Sequence, residues 1–288
     1  MELVDGVTVG HWTDLEARTG CTVVRLPEGT VASGEVRGGA PATREFALLD
    51  PTRIVDRVDA VVLSGGSAYG LAAGSGVADA LGEAGVGFET TYGVVPIVVG
   101  MSLYDLGVGD ASVRPTAENG RAALAAATTA PAMGRVGAGT GATVGKWRGV
   151  DHMKDAGLGI ATLADGDLVV TAIVAVNAVG DIDDGTDSAT IRAGGSAWPV
   201  ADDPLATNTV IGVIVTNAAL DKPGCLVVAQ GAHDGLARAV FPPHMRSDGD
   251  GFVAAATGVV EAPIDQVRML TVVAMDTAIR GTVDSLSG

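Results

Sequence analysis

Residues 202–215 read Asp-Asp-Pro-Leu-Ala-Thr-Asn-Thr-Val-Ile-Gly-Val-Ile-Val, a polar, proline-containing segment that gives way abruptly to an apolar run. Neither this run, at residues 210–215, nor the run at residues 168–176 alternates between polar and apolar side chains. Strands of this kind have both faces covered, as in a sheet that lies between other layers. The two runs therefore predict central strands of a layered α/β protein.

Strand and helix patterns alternate along the rest of the chain. An apolar run at residues 59–63 ends in Ser-Gly-Gly, and a helical pattern over 67–81 follows, with Ser67 expected as its N-cap. Further strands are predicted at residues 22–26 and 252–256, and further helices at 116–128, after Pro223, and at 263–280. Because no linker or fixed-period repeat interrupts the pattern, we expect a single domain over residues 1–288.

The amino-acid composition and the net charge limit the classes of partner that we expect. The 288 residues are 47% hydrophobic and 18% charged, and 34 acidic against 18 basic residues give a net charge of −16. An acidic surface repels phosphate groups, so we expect no nucleic-acid and no membrane partner. The N-terminus lacks a signal-peptide pattern, which predicts a cytoplasmic protein. Cys21 and Cys225 are expected to be reduced packing residues.

Several motifs resemble known sites but fail on spacing. The glycine-rich string 134–146 has Thr140 where a phosphate loop needs glycine, and Tyr69 stands where a nucleophile elbow needs one. The histidines show no metal-ligand spacing, and residues 183–187 lack the following glutamate of a calcium loop. We therefore expect no cofactor and no metal, and a solvated acidic loop at 183–187.

The pair Asn208-Thr209 stands at the junction between the polar segment and the apolar strand. In one interpretation Thr209 is simply a β-branched residue that opens a strand. In the other, the chain cuts itself before Thr209, and the new α-amino group becomes the base for the threonine hydroxyl. The pair alone does not decide between them.

Six stretches together resemble one family, the self-cleaving aminopeptidase/amidase group that includes L-aminopeptidase D-amidase/D-esterases, β-peptidyl aminopeptidases and nylon-oligomer (6-aminohexanoate) hydrolases. They are residues 19–24, 38–45, 63–71, 137–146, 208–212 and 248–250. The resemblance implies a four-layer αββα sandwich of the N-terminal-nucleophile type, as in ornithine acetyltransferase-like proteins. It also implies cleavage between Asn208 and Thr209 into an α piece (1–208) and a β piece (209–288), and a homo-oligomer, a tetramer of cleaved αβ units.

The resemblance also assigns roles within the site. Thr209 is the expected nucleophile, and the Asn208 carbonyl is the group it attacks during maturation. Asn177 is expected to bind the oxyanion, with Lys146 near the nucleophile and Tyr69 as a pocket tyrosine that donates to the same oxyanion. Asp248 and Asp250 would face the amino group of Thr209; without the family context, Asp-Gly-Asp is typical of a simple turn.

Within the family, Thr209 with Asp-x-Asp resembles the nylon-hydrolase branch, because aminopeptidase members typically combine a serine nucleophile with Ser-x-Glu. Val210 replaces a second threonine that is often present. The resulting interpretation is an amide or peptide hydrolase acting on a small substrate through a threonyl acyl-enzyme. The alternatives are an acyltransferase of the ornithine acetyltransferase type and a non-catalytic binding protein on the same fold.

Overall fold

The structure, a computed structural model, describes residues 2–196 and 208–284. The proline-containing segment that precedes Asn208 in the sequence lies outside the described residues. Strands and helices are numbered along the chain. No helix in the described ranges is both long and apolar enough to cross a bilayer.

Two five-stranded sheets form the centre of the molecule. The first has the spatial order β1 (Thr8–Asp14), β2 (Thr19–Arg25), β5 (Ala60–Ser64), β8 (Val98–Ser102) and β4 (Thr43–Arg44). The second has the order β11 (Leu158–Asp165), β12 (Leu168–Asn177), β14 (Thr209–Ala218), β16 (Gly251–Val260) and β3 (Val31–Val36). Each sheet contains one parallel pair, β5 with β8 and β14 with β16, among antiparallel neighbours.

Six short strands form two-stranded pairs outside these sheets. They are β6 (Phe88–Thr90) with β7 (Gly93–Val95), β9 (Thr143–Val144) with β10 (Lys154–Asp155), and β13 (Asp181–Ile182) with β15 (Val240–Phe241).

Four of the five described helices cover the outer faces of the sheets. Helices α1 (Ala73–Glu83) and α2 (Ala117–Ala125) contact the first sheet, and α4 (Lys222–Ala239) and α5 (Ile264–Asp284) contact the second. The predicted starts are confirmed by their caps: Thr116 and Asn119 form a capping box, and the Asp221 carboxylate accepts a hydrogen bond from the Gly224 backbone N–H at 2.8 Å.

Three apolar layers separate these elements. The layer between the two sheets includes Val24, Leu63 and Met101 from the first sheet and Ile173, Ile211 and Val253 from the second. The side chains on the opposite face of the same strands point outward. Val23 and Val62 pack under α1 and α2, and Val174, Ile214 and Phe252 pack under α4 and α5. Because both faces of the central strands are buried, the unbroken apolar runs are explained, and the four-layer αββα sandwich is confirmed.

Two local predictions are wrong. Ser67 does not cap a helix: it has a left-handed φ of 55° and begins a 3₁₀ turn, Ser67–Ala72, ahead of α1. The residue before the turn is Gly66, with a left-handed φ of 79°, and its N–H donates to the Asp105 carboxylate at 2.7 Å. The acidic segment 183–187 is not a fully solvated loop either, because helix α3 (Thr186–Arg192) begins in it and Asp187 pairs with Arg148.

Candidate active site

The register of the second sheet places Asn177 directly opposite Thr209. Strands β12 and β14 are antiparallel, and Asn177 and Thr209 form the last pair of the ladder. Directly opposed residues of antiparallel strands present their side chains on the same face of the sheet. Both residues are buried, with exposed fractions of 0% for Asn177 and 3% for Thr209. A hydroxyl and an amide that are 32 positions apart in the sequence are thus neighbours at one end of the sheet.

The peptide group before Thr209 is held on both sides. The Thr209 hydroxyl donates a close hydrogen bond to the carbonyl oxygen of Asn208. The backbone of Asn208 forms a parallel bridge with Asp248, which lies just before β16. The hydroxyl therefore lies against the carbonyl group of the preceding residue, in a backbone that neighbouring strands fix.

The two aspartates lie on either side of this peptide group. Asp250 accepts the backbone N–H of Val210 at 2.7 Å through Oδ1. Asp248 accepts the N–H of Met245 at 2.8 Å and the N–H of Val179 at 3.3 Å. Both carboxyl groups are buried, with 2% and 1% exposed for Asp248 and Asp250. The Asp-Gly-Asp segment is therefore a turn and also a pair of buried carboxylates beside Thr209.

Burial raises the pKa of Asp248 above its ordinary range, and the neighbouring charge of Asp250 raises it further. The backbone N–H groups of Met245 and Val179 and the charge of Lys146 oppose this shift, but they are weaker. The Asp248–Asp250 pair is therefore more stable with one negative charge between the two carboxyl groups than with two.

Lys146 is the cation of the site. Burial lowers its pKa to about 7, although the carboxylates of Asp248 and Asp105 act in the opposite direction. Its ammonium donates to Asn177 Oδ1 at 2.7 Å and lies 3.4 Å from the Asn177 carbonyl oxygen. A lysine that titrates near neutral pH can hold or release a proton during turnover.

The orientation of the Asn177 amide follows from these partners. Its Oδ1 faces Lys146 and the backbone N–H of Thr143 (3.1 Å), which are both donors. Its Nδ2 is therefore on the other side, where it donates to the carbonyl oxygen of Tyr104 at 2.9 Å. Asn177, the residue opposite Thr209 in the ladder, thus carries an uncharged amide whose orientation is fixed.

Tyr69 is placed differently from the other predicted residues. Its side chain is 62% exposed, and the guanidinium of Arg114 lies 3.9 Å above the centre of its ring. The contacts described for the site connect Thr209, Asn177, Lys146, Asp248 and Asp250 but not Tyr69. The tyrosine that meets Asn177 is Tyr104, through its backbone carbonyl, and the sequence analysis did not single it out.

Asp105 is a second residue that the sequence analysis missed. Its buried carboxylate accepts the Thr19 hydroxyl at 2.8 Å and the Gly66 N–H at 2.7 Å. A Cβ atom on Gly65 would lie 2.0 Å from Asp105 Oδ2, and one on Gly141 would lie 2.8 Å from Asp105 Cβ. Three of the six stretches that carry the family resemblance therefore converge on one carboxylate beside Tyr104.

His244 is the third residue missed. Its Nδ1 lies 2.8 Å from Asp250 Oδ2, and its backbone has a φ of 51°. No spacing signal marked this histidine, because its partner role depends on a turn between α4 and β16. Among the described residues, no three histidine, cysteine, aspartate or glutamate side chains are grouped so that they could hold a metal ion.

Sequence comparison decides the family. Residues 3–287 match the profile of peptidase family S58. The chain belongs to peptidase family S58. It is 41% identical over 298 residues to an uncharacterised aminopeptidase of Mycobacterium leprae (strain TN), covering 90% of this chain and 78% of the relative. It is 32% identical over 277 residues to the 6-aminohexanoate-oligomer endohydrolase of Paenarthrobacter ureafaciens, covering 90% of this chain and 75% of that enzyme.

A solved structure supports the same fold. The L-aminopeptidase D-Ala-esterase/amidase of Ochrobactrum anthropi, described as a variant of the Ntn-hydrolase fold, superposes with a TM-score of 0.76 at 20% identity. The match covers 98% of this chain and 85% of that one. The family resemblance found in the sequence is therefore confirmed, and this S58 member is a peptide or amide hydrolase with the Ntn-type sandwich.

The lowered pKa of Lys146 has a consequence for stability. Because the folded protein releases this proton near pH 7 and the unfolded chain near pH 10.5, the folded state binds fewer protons between those values. Lys146 should therefore increase the free energy of unfolding as pH rises through that window, by at most about 1.4 kcal/mol per pH unit.

We expect Lys146→Met to remove that gain, so that Tm depends less steeply on pH between 7 and 10 than in the parent. Thermal unfolding in the uncleaved Thr209→Ala background measures it, with the exposed Lys154→Met as control. Parallel Tm curves for parent and Lys146→Met would show that Lys146 keeps an ordinary pKa.

Proposed function

We propose that this S58 member is a self-cleaving N-terminal-nucleophile amide hydrolase in which Thr209 is the nucleophile. The observation that carries the proposal is the contact between the Thr209 hydroxyl and the Asn208 carbonyl, opposite the Asn177 amide. This is the arrangement that an intramolecular attack needs, with a nucleophile, a carbonyl and a buried polar donor in one place.

In the proposed maturation, Thr209 Oγ attacks the carbonyl carbon of Asn208, the C–N bond to Thr209 breaks, and the hydroxyl proton passes to the leaving nitrogen. The acyl group is then on the threonine oxygen as an ester, and the α-amino group of Thr209 is free. Water hydrolyses the ester, which leaves an α piece that ends at Asn208 and a β piece that begins at Thr209. The net reaction consumes one water molecule.

In the proposed catalytic cycle, the new α-amino group takes the hydroxyl proton of Thr209 while Oγ attacks the substrate amide. Asn177 stabilises the oxyanion of the tetrahedral intermediate, because a neutral amide N–H donates a hydrogen bond to the developing charge without giving up its proton. The proton passes to the leaving amine, and water then hydrolyses the threonyl ester. Asp250, bonded to the N–H next to Thr209, favours the charged form of the amino group as it accepts the proton.

For the substrate we propose short linear amides with a free amino terminus and a small or unbranched acyl residue. Three observations support this class: the net charge of −16, the buried carboxylates beside Thr209, and the names of relatives that are aminopeptidases or aminohexanoate-oligomer hydrolases. A substrate ammonium and an acidic site attract each other.

The test is a panel of an aminohexanoate dimer, a β-alanyl amide and an α-dipeptide of small residues, each with its N-acetylated form. We expect at least about 10-fold higher kcat/KM for the free amines, a loss of about 1.4 kcal/mol on acetylation. Free acid should appear without any added acceptor amine. Equal rates with and without acetylation would contradict amine recognition, and turnover that requires an acceptor would indicate an acyltransferase instead.

A further inference from the structure

Two histidines, one fully buried and one partly buried, lie behind the Asp250 carboxylate. The His244 side chain, 16% exposed, contacts Asp250 Oδ2 through Nδ1 at 2.8 Å. The ring of His233, on helix α4 and fully buried, meets the His244 ring edge-on with centroids 5.0 Å apart. The ring of Phe252, on β16, packs against the His233 ring with centroids 4.7 Å apart. Asp250 therefore has two different partners, the backbone on one oxygen and an imidazole on the other.

The protonation of both rings follows from their partners. His233 Nε2 lies 3.1 Å from the backbone carbonyl oxygen of Glu35, which only accepts, so Nε2 carries the proton. Burial lowers the pKa of His233 to about 3, and the ring is neutral at ordinary pH. His244 Nδ1 faces a carboxylate and carries a proton for the same reason.

The two ring nitrogens of His244 differ in their hydrogen bonding. His244 Nε2 is buried and has no hydrogen-bond partner among the described residues. A proton on it would add a buried, unsatisfied N–H group, which is costly. The charged groups that face this pair are Asp250 and Asp248 from the turn before β16, and Glu35 and Arg37 from β3 and the residue after it.

The backbone also holds His244 in place. Its φ of 51° lies in the left-handed region, which a residue with a side chain adopts only when its surroundings require it. The next residue, Met245, donates its N–H to Asp248 Oδ2, so Asp248 closes the turn that aims His244 at Asp250. The same turn thus places the His244 ring against Asp250 and the Met245 N–H against Asp248.

We propose that His244 is a positioning residue of the Thr209 nucleophile: its Nδ1–H holds Asp250 Oδ2, so that Oδ1 stays on the Val210 N–H and the carboxylate keeps its place beside the Thr209 amino group. This inference rests on the proposed function. The neutral ring of His233 supports His244 without adding charge. Loss of the His244 donor should let the carboxylate pair take up a proton at higher pH, because hydrogen bonds to the charged form favour ionisation.

Three substitutions separate this role from a general packing role. Glycine fits the left-handed backbone but offers no donor, and asparagine fits it and places an N–H near the Nδ1 position. Aspartate has the shape of asparagine but puts a second negative charge against Asp250. Purified, cleaved His244→Gly, His244→Asn and His244→Asp are compared by kcat, KM and the pH profile of kcat/KM, with the exposed His152→Asn as control.

For His244→Gly we expect kcat to fall about 10- to 100-fold with KM little changed, and the acid limb of kcat/KM to move to higher pH. His244→Asn should restore most of the rate and the position of that limb, and His244→Asp should be worse than glycine above pH 7. Melting curves report whether each variant is folded.

An unchanged rate and pH profile in His244→Gly would overturn the inference. So would a folded His244→Asn that behaves like glycine. If glycine does not fold, the asparagine and aspartate variants decide, and equal rates for those two overturn it. In each of these cases wild-type turnover would still depend on Thr209, whereas activity in Thr209→Ala would remove the proposed function itself.

Discussion

Thr209→Ala should remain one uncut chain of 288 residues and lose hydrolytic activity by at least about 10⁴-fold. The variant lacks the oxygen that attacks Asn208 in maturation and the substrate in turnover. It also never exposes the α-amino group that serves as base. Both defects arise from one removed hydroxyl, so cleavage and activity should disappear together.

Denaturing electrophoresis and turnover of the fastest substrate of the amide panel measure the two effects. Thr209→Ser is the matched control, because it keeps a hydroxyl at the same place and should be cut and active. An alanine variant that is still cut at this bond would show that an outside protease makes the cut. An uncut alanine variant with near-normal turnover would remove Thr209 from catalysis.

Asn177→Ala is the change with the second largest expected effect, a loss of about 10²- to 10³-fold in kcat, the usual scale for one oxyanion donor. The amide is fixed by Lys146 on its oxygen and by the Tyr104 carbonyl on its nitrogen, and alanine removes the donor together with both of these contacts. KM should change little, because the donor is needed mainly in the transition state.

Steady-state kinetics on cleaved protein measure this loss, with cleavage checked separately because Asn177 also lies opposite the residue at the cleavage point. Tyr69→Phe is the informative comparison, since the family resemblance assigns an oxyanion role to Tyr69 and the structure exposes 62% of it. A loss in Tyr69→Phe as large as that in Asn177→Ala would restore that role. A wild-type rate in Asn177→Ala would place the oxyanion elsewhere.

The layered fold could be predicted because its signals are local. The runs at 168–176 and 210–215 are apolar on both faces, and the caps at Thr116 and Asp221 act within three residues of their partners. Helix α3 was missed because none of its seven residues is buried, so the sequence has no apolar stripe there. The Ser67 prediction is wrong because Gly66 and Ser67 both have left-handed backbone angles, which no local pattern predicts for a serine.

The site was predictable only in part, for a related reason. The family resemblance supplied Thr209, Asn177, Lys146 and the two aspartates, and the structure brings them together. Asp105 reaches Thr19 across 86 residues, and no periodicity reports such a contact. His244 is close to Asp250 in sequence, but its role depends on a left-handed backbone angle, which a histidine in the sequence does not predict.

Intact mass and N-terminal sequencing of the purified wild-type protein show whether Thr209 becomes an N-terminal nucleophile. We expect two polypeptides of 208 and 80 residues, the shorter one beginning with Thr209. A fully active preparation that consists only of the uncut chain, or a new N-terminus at any other residue, would contradict it.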